Sequence, residues 1–169
     1  MQMKRKLLVC GILIVMLLSA VCLYIFHPLS QVYRINKSID IADVRLLMPL
    51  EEVTGKMNEE GEYIYGMGGF GYEYESERVR IFFSNDPDSR AYNKVCLIET
   101  ENPSHSVLGI HAGDSLDKAY SILDNSGFKP ESKNYFENGD IYINLFPENN
   151  IVKKIRVGFI DRSLSGRVY

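Results

Sequence analysis

The chain has 169 residues, 46% of them hydrophobic and 24% charged, which is the makeup of a globular domain with room for one core and some additions. Its formal net charge is −3. Lys4, Arg5 and Lys6 stand ahead of every acid, so the rest of the chain carries −6. A body of that sign repels phosphate backbones, which excludes a nucleic-acid partner.

Residues 1–6, "MQMKRK", read as a basic cytoplasmic tail. Residues 7–26, "LLVCGILIVMLLSAVCLYIF", carry no charge. A helix of that length rises about 30 Å, enough to cross a hydrocarbon core. The basic flank predicts a single-pass anchor with the N-terminus cytoplasmic and the remainder extracytoplasmic. Two rival readings use the same segment. A cleaved signal peptide has a shorter apolar region; the cut after Ala20 places Leu18 where a small residue is wanted, and the cut after Cys22 places Ala20 there. An acylated Cys22 would follow "SAV", in which Val21 and Ser19 depart from the usual box. Cys10 and Cys22 lie in this run, so Cys96 is the one cysteine of the body and no disulfide within it is expected.

Residues 27–40 read as a short polar link. Beyond it the chain repeats. "PLEEVTGKMNEEG" (49–61) aligns with "SLDKAYSILDNSG" (115–127), and both place less polar residues at i, i+3, i+4 and i+7. Each predicted helix is followed by strand-forming runs: "GFGYEYES", "RVRIFFS" and "KVCLIET" in the first copy, "KNYFE", "DIYINLF" and "VKKIRVGF" in the second. A further strand before each helix is possible at residues 44–48 and 107–110. The expectation is an α+β fold: repeat 1 over 41–102, repeat 2 over 103–160 and a tail over 161–169. Each repeat is a helix with three or four strands, and the helices pack on one face of an antiparallel sheet.

The period of two assigns faces. A turn at Ser76-Glu77 pairs Tyr74 with Val79 and Tyr72 with Ile81. A turn at Asn138-Gly139 pairs Phe136 with Ile141 and Tyr135 with Tyr142. Phe83, Val95, Leu97, Ile143, Leu145, Ile155, Val157 and Phe159 join the core side. The opposite side receives Arg80, Phe82, Cys96 and Ile98 from the first repeat, and Tyr135, Tyr142, Phe146, Lys154 and Arg156 from the second. Aromatic residues among charges on an open sheet face point to a partner.

The residues "GIHAGDSLDKAYSILDNSGF" followed by "YFENGDIYINLFPENNIVKKIRV" carry a family resemblance. The doubled helix-plus-strands unit over roughly 40–160 resembles the β-lactamase-inhibitor-protein fold. In single copy it is similar to the small lipoprotein of the outer-membrane β-barrel assembly machine. The first repeat departs from the pattern, since "LLMPLEEV" stands where the second has "HAGDSLDKA". The resemblance implies a sheet face that meets protein partners or scaffolds envelope components. It transfers no individual functional residue, because none of the inhibitor's contact loops matches.

Candidate chemistry is sparse. "GMGGFG" (66–71) lacks the Lys-Ser or Lys-Thr ending and the following helix of a phosphate loop, so it reads as a bendable helix-to-strand connection. Ser115 and Lys118 have the spacing of serine enzymes that use a lysine base, without the further motifs, and Ser115 reads as a helix cap. His105, His111 and Asp114 match no standard metal spacing. "SNDPDSRAYN" (84–93) lacks the acid ladder of a calcium loop. No catalytic, metal or cofactor site is therefore expected. The candidate partner-binding face is Arg80, Phe82, Ile98, Tyr135, Tyr142, Phe146 and Arg156. The expected function is a membrane-anchored binding or scaffolding module, not an enzyme, whose partner is a protein or a cell-wall component. An inhibitor or sensor of an extracytoplasmic enzyme is the alternative; an envelope hydrolase would need a nucleophile with a base, or paired carboxylates.

Overall fold

The computed structural model describes residues 13–19, 28–66 and 69–165. The apolar run 7–26 lies mainly outside them; residues 13–19 form a helical stretch, α1, with its apolar side chains exposed. Among the described residues no helix is long and apolar enough to cross a membrane. Then follow α2 (Pro28–Asn36), β1 (Ile39–Asp40) and α3 (Leu50–Lys56). Four strands succeed α3: β2 (Glu62–Gly66), β3 (Gly69–Tyr74), β4 (Val79–Ser84) and β5 (Val95–Thr100). After β6 (Ser106–Val107) and α4 (Leu116–Asn125) come four more: β7 (Lys129–Ser132), β8 (Tyr135–Asn138), β9 (Ile141–Glu148) and β10 (Ile151–Phe159).

The fold is α+β. β1 pairs with β6, and the other eight strands form one antiparallel sheet in the order β2-β3-β4-β5-β10-β9-β8-β7. Each half is a helix followed by a four-strand meander, and the halves join where β5 pairs with β10. One side of the sheet is covered by Val32 and Ile35 of α2, Val53 of α3, and Ala119 and Leu123 of α4. They pack with Val79, Ile81, Phe83, Ile143, Leu145, Ile155 and Val157. Burial of such side chains contributes about 1.5–3 kcal/mol each relative to exposure, which holds the helices on that face. Ser115 caps α4, its hydroxyl accepting from the Lys118 amide at 3.3 Å.

Four expectations are corrected. Residues 27–40 are not a free link. Val32 and Ile35, one turn apart, turn α2 into the core, and the Asn36 side chain bonds both backbone groups of Leu46 at 2.9 Å. The turn-rich segment after it, with Ala42, Asp43 and Leu47 at positive φ, buries Ile39, Ile41, Val44, Leu46 and Met48 and forms no strand over 44–48. The second correction is α3, which ends at Lys56 and does not run to Gly61, freeing "EYIYG" to form β2. "GMGGFG" therefore joins two strands and is not a helix-to-strand connection. A Cβ on Gly69 would lie 2.1 Å from the Phe83 carbonyl oxygen, and one on Gly71 2.5 Å from that of Ile81. These glycines admit the β4 backbone.

The third correction is the second hairpin's register. Asn138 pairs with Ile141, so the two-residue turn is Gly139-Asp140, with Gly139 at φ 59°. Phe136 therefore faces Ile143 and Tyr135 faces Asn144. The slip is two residues, so every side chain keeps its face. The fourth is a bulge. Phe82 pairs with Leu97 but Phe83 with Val95, leaving Cys96 as the extra residue. A single extra residue inverts the alternation beyond it. Ile98 is fully buried with Ile81 in the core, and Leu97 and Glu99 move to the opposite face.

One cluster closes the end of the sheet. The Asp161 carboxylate accepts from Ser89 Oγ (3.0 Å), the Arg90 amide (2.6 Å), Arg90 Nε (3.0 Å) and Ser163. Arg90 also reaches Asp140 at 3.0 Å and lies over the Phe159 ring. Arg162 pairs with Glu137 at 2.6 Å and with Asp140 at 3.4 Å. The loop 84–93 is thereby clasped to the chain after β10, where the tail was expected to begin.

Candidate functional site

The sheet face away from the helices is built from cross-strand rows. In one row, Gly71 of β3 stands opposite Phe82, Phe82 opposite Leu97, Leu97 opposite Gly158, and Gly158 opposite Tyr142. The two glycines make room for rings: a Cβ on Gly71 would lie 3.0 Å from the Phe82 ring, and one on Gly158 2.3 Å from that of Tyr142. Phe82 leans over Gly71 and is only 7% exposed. It was expected on the partner-binding face; it packs along the sheet instead.

The next row alternates in charge. Glu73, Arg80, Glu99 and Arg156 are consecutive partners across β3, β4, β5 and β10. Arg80 Nη2 donates to Glu73 Oε1 at 2.8 Å, and its Nη1 approaches Glu99 Oε2 at 3.9 Å. Arg156 Nε donates to Glu99 Oε1 at 2.6 Å. Lys154 Nζ comes within 3.7 Å of the same carboxylate. Glu99 is 4% exposed, so three cations surround a buried anion. The hydrogen bond from Arg80 holds the Glu73 carboxyl below its usual range, against the opposing effect of burial.

Aromatic rings border the ladder. Lys154 and Arg156 lie 4.4 and 5.0 Å from the Phe146 ring centroid, a double cation–π contact. Tyr135 stacks on Tyr142 at 5.3 Å and donates to Glu137 at 3.0 Å. Burial first, and that hydrogen bond second, push the Tyr135 phenol up to about 12. Burial likewise raises Tyr142 well above the phenol range. Next to the ladder a cleft of about 430 Å³ is lined by Glu73, Glu75, Arg78, Arg80, Glu99, Glu101 and Lys154.

Of the expected face, the structure brings Arg80, Tyr135, Tyr142, Phe146 and Arg156 to one side of the sheet. Phe82 lies on that side but is covered, and Ile98 belongs to the core. Glu99, the centre of the ladder, was missed. A signal was present: continuing the alternation Val95, Leu97 puts a glutamate in the core, and a charge there announces a shifted phase.

The remaining candidates have local roles. Nδ1 of His105 lies 2.8 Å from Thr100 Oγ1, and its Nε2 lies 3.3 Å from Glu77. His111 Nδ1 contacts the Pro103 carbonyl, and Asp114 pairs with Lys118 at 2.7 Å. Among the described residues no group of three or more His, Cys, Asp or Glu could hold a metal. Cys96 sits in the bulge, its Sγ 3.4 Å from the Phe82 carbonyl, and burial pushes its thiol up to about 11. Alkylation of the folded protein at pH 8 is expected to be roughly a hundredfold slower at Cys96 than at a free cysteine, and to recover in denaturant. Equal rates by mass spectrometry would contradict this placement.

No protein-family model matches the chain, and no curated protein matches it. Among solved structures the fold is similar to an extracellular protein containing an SCP domain from Bacillus anthracis str. Ames. The TM-score is 0.48 at 11% identity, covering 70% of this chain and 48% of that one, so the chain spans about half of that protein's length. The expected resemblance to the β-lactamase-inhibitor-protein fold is withdrawn: no family model supports it, and the solved structure that matches is of a protein described by its SCP domain, not of such an inhibitor. The motifs behind that expectation were a capped short helix, a hairpin and a last strand. Any helix-on-meander unit needs these, and they do not single out a family.

Proposed function

We propose that the chain is a binding module, held at a membrane through residues 7–26 with its body outside, and that it takes a partner on the open face of the sheet. The observation that carries this is the charge ladder Glu73–Arg80–Glu99–Arg156 beside a cleft and a cation-capped ring. Its carboxylates face guanidinium or ammonium groups at 2.6–3.9 Å, an arrangement suited to fixed polar contacts rather than to moving a proton. The cleft is lined by both signs, Arg78, Arg80 and Lys154 with Glu73, Glu75, Glu99 and Glu101, so the fitting partner presents both signs of charge, as a polypeptide segment does. Inhibition or sensing of an extracytoplasmic enzyme is one use of such a face.

The exposed apolar side chains of residues 13–18 and the basic tail support the membrane placement. The binding claim is tested by capture from an envelope extract with the full chain and with an Arg80→Ala/Phe146→Ala double variant. Both positions lie off the helix-covered core, so the fold is retained. At least tenfold less of the same partner on the variant is expected. Equal capture contradicts the assignment of the face.

A further inference from the structure

The two edges of the sheet differ. β7 is blunted: Pro130 has no amide hydrogen, the register breaks between Pro130 and Ser132, and Lys129 flanks them. β2 has none of these devices. It contains no proline or lysine, pairs with β3 without irregularity over all five residues, and has no strand on its other side among the described residues. It also carries Tyr63 and Tyr65 on the helix side, 59% and 77% exposed, where α3 is too short to cover them. Tyr63 stacks on Phe70 at 6.3 Å and meets Tyr72 edge-on at 5.8 Å, so the exposed rings continue an aromatic cluster. A regular, uncharged-centred strand edge beside exposed aromatic rings is a template for another strand.

We infer that β2 pairs antiparallel with β2 of a second copy of the chain. The sequence of the strand is self-complementary about Ile64. With Ile64 opposite Ile64, each Tyr63 meets the other copy's Tyr65 and each Glu62 meets Gly66, so no like charges face one another. Centring the pair on Glu62 instead would set two carboxylates opposite each other. The two-fold axis of such a pair is perpendicular to the sheet. Both copies then keep α2, through which the chain leaves residues 7–26, on one side of a continuous sheet. Both open faces look to the other side. Two anchors can thus enter one membrane while both binding faces point away from it. The five-residue contact is small, and confinement to a membrane supplies the effective concentration it needs. That orientation, and the concentration that confinement supplies, rest on the anchor and open-face reading above; the choice of edge and the register centred on Ile64 do not.

The full chain in lipid vesicles, with Cys10→Ser, Cys22→Ser and Cys96→Ala, carries either Ile64→Cys or Glu62→Cys and is oxidised. Ile64→Cys is expected to give a disulfide-linked dimer, and Glu62→Cys at least tenfold less. Adding Tyr63→Lys and Tyr65→Lys to Ile64→Cys is expected to lower the yield at least tenfold, with the far-ultraviolet circular dichroism of the fold retained. Equal yields at 62 and 64, no yield at 64, or insensitivity to the lysines overturns the pairing. Alkaline carbonate extraction of the same vesicles reads the anchor separately. Protein that is washed off yet links at position 64 contradicts the anchor and supports the pairing. Protein that stays embedded and does not link contradicts the pairing alone.

Discussion

Replacement of Glu99 by alanine is expected to destabilise the protein by about 3 kcal/mol, lowering its melting temperature by roughly 10 °C, and to abolish partner capture. Glu99 is the buried anion of the open face, in contact with Arg156, Arg80 and Lys154. Its removal leaves three cations without their common counter-ion. Arg80 has enough exposure to relax into water, whereas the Arg156 and Lys154 side chains are only about a fifth exposed. The loss is therefore set near the lower end of what breaking a buried pair costs. A double Glu99→Met/Arg156→Met variant should recover most of the stability, because it removes the buried charge together with its hydrogen-bonded partner. Capture should stay lost, since the ladder is gone. Urea unfolding at pH 7 separates the two effects. An alanine variant as stable as the parent would show that the ladder is an exposed, screened array.

Asp161→Asn is expected to cost about 3 kcal/mol at neutral pH, and the cost is expected to shrink as the medium is acidified. Burial opposes ionisation of Asp161, but hydrogen bonds from Ser163, Arg90 and Ser89 outweigh it and hold the carboxyl far below its ordinary value of 3.8. A carboxyl depressed on folding contributes stability that is present in full above the unfolded-state value. That contribution is lost as the pH falls towards the folded-state value. The gap between parent and variant in urea midpoint should therefore be constant above about pH 5 and narrow from there to pH 2. A gap independent of pH would mean that the clasp does not depend on the charge of Asp161. The clasp joins the loop 84–93, the β8–β9 turn and the end of β10, so its loss should also raise amide exchange in that loop before the rest of the sheet.

Much of this architecture was legible in the sequence. The alternation in "RVRIFFS" and "DIYINLF" gave strands and faces, and Ser115 gave the start of α4. The pairing of Tyr74 with Val79 followed from the turn between them. What stayed hidden has local physical causes. Cys96 looks like any strand residue, yet as the bulged one it moves Ile98 inward and Glu99 outward. A bulge is a property of two strands, and one strand's pattern does not show it. α2 has buried positions at Val32 and Ile35 set among polar residues, too few for a convincing stripe. β2 was masked because the helical pattern of α3 was carried through Asn58-Glu59-Glu60-Gly61, a stretch that ends helices. The burial of Phe82 depends on Gly71 of the neighbouring strand, eleven positions away in the chain. The candidate site was legible as a face. Its organisation into a charge ladder required the register of four strands at once.

The central claim is that the open face, and not the helix-covered one, meets the partner. The most direct measurement places a photoactivatable crosslinking side chain at Glu75, on the rim of the cleft, and separately at Glu51, exposed on α3, in the full chain in its own membrane. Irradiation is expected to give a discrete adduct from position 75, abolished by Glu99→Ala, and none from position 51. Adducts from position 51 alone, or an adduct from position 75 that survives Glu99→Ala, would contradict the account.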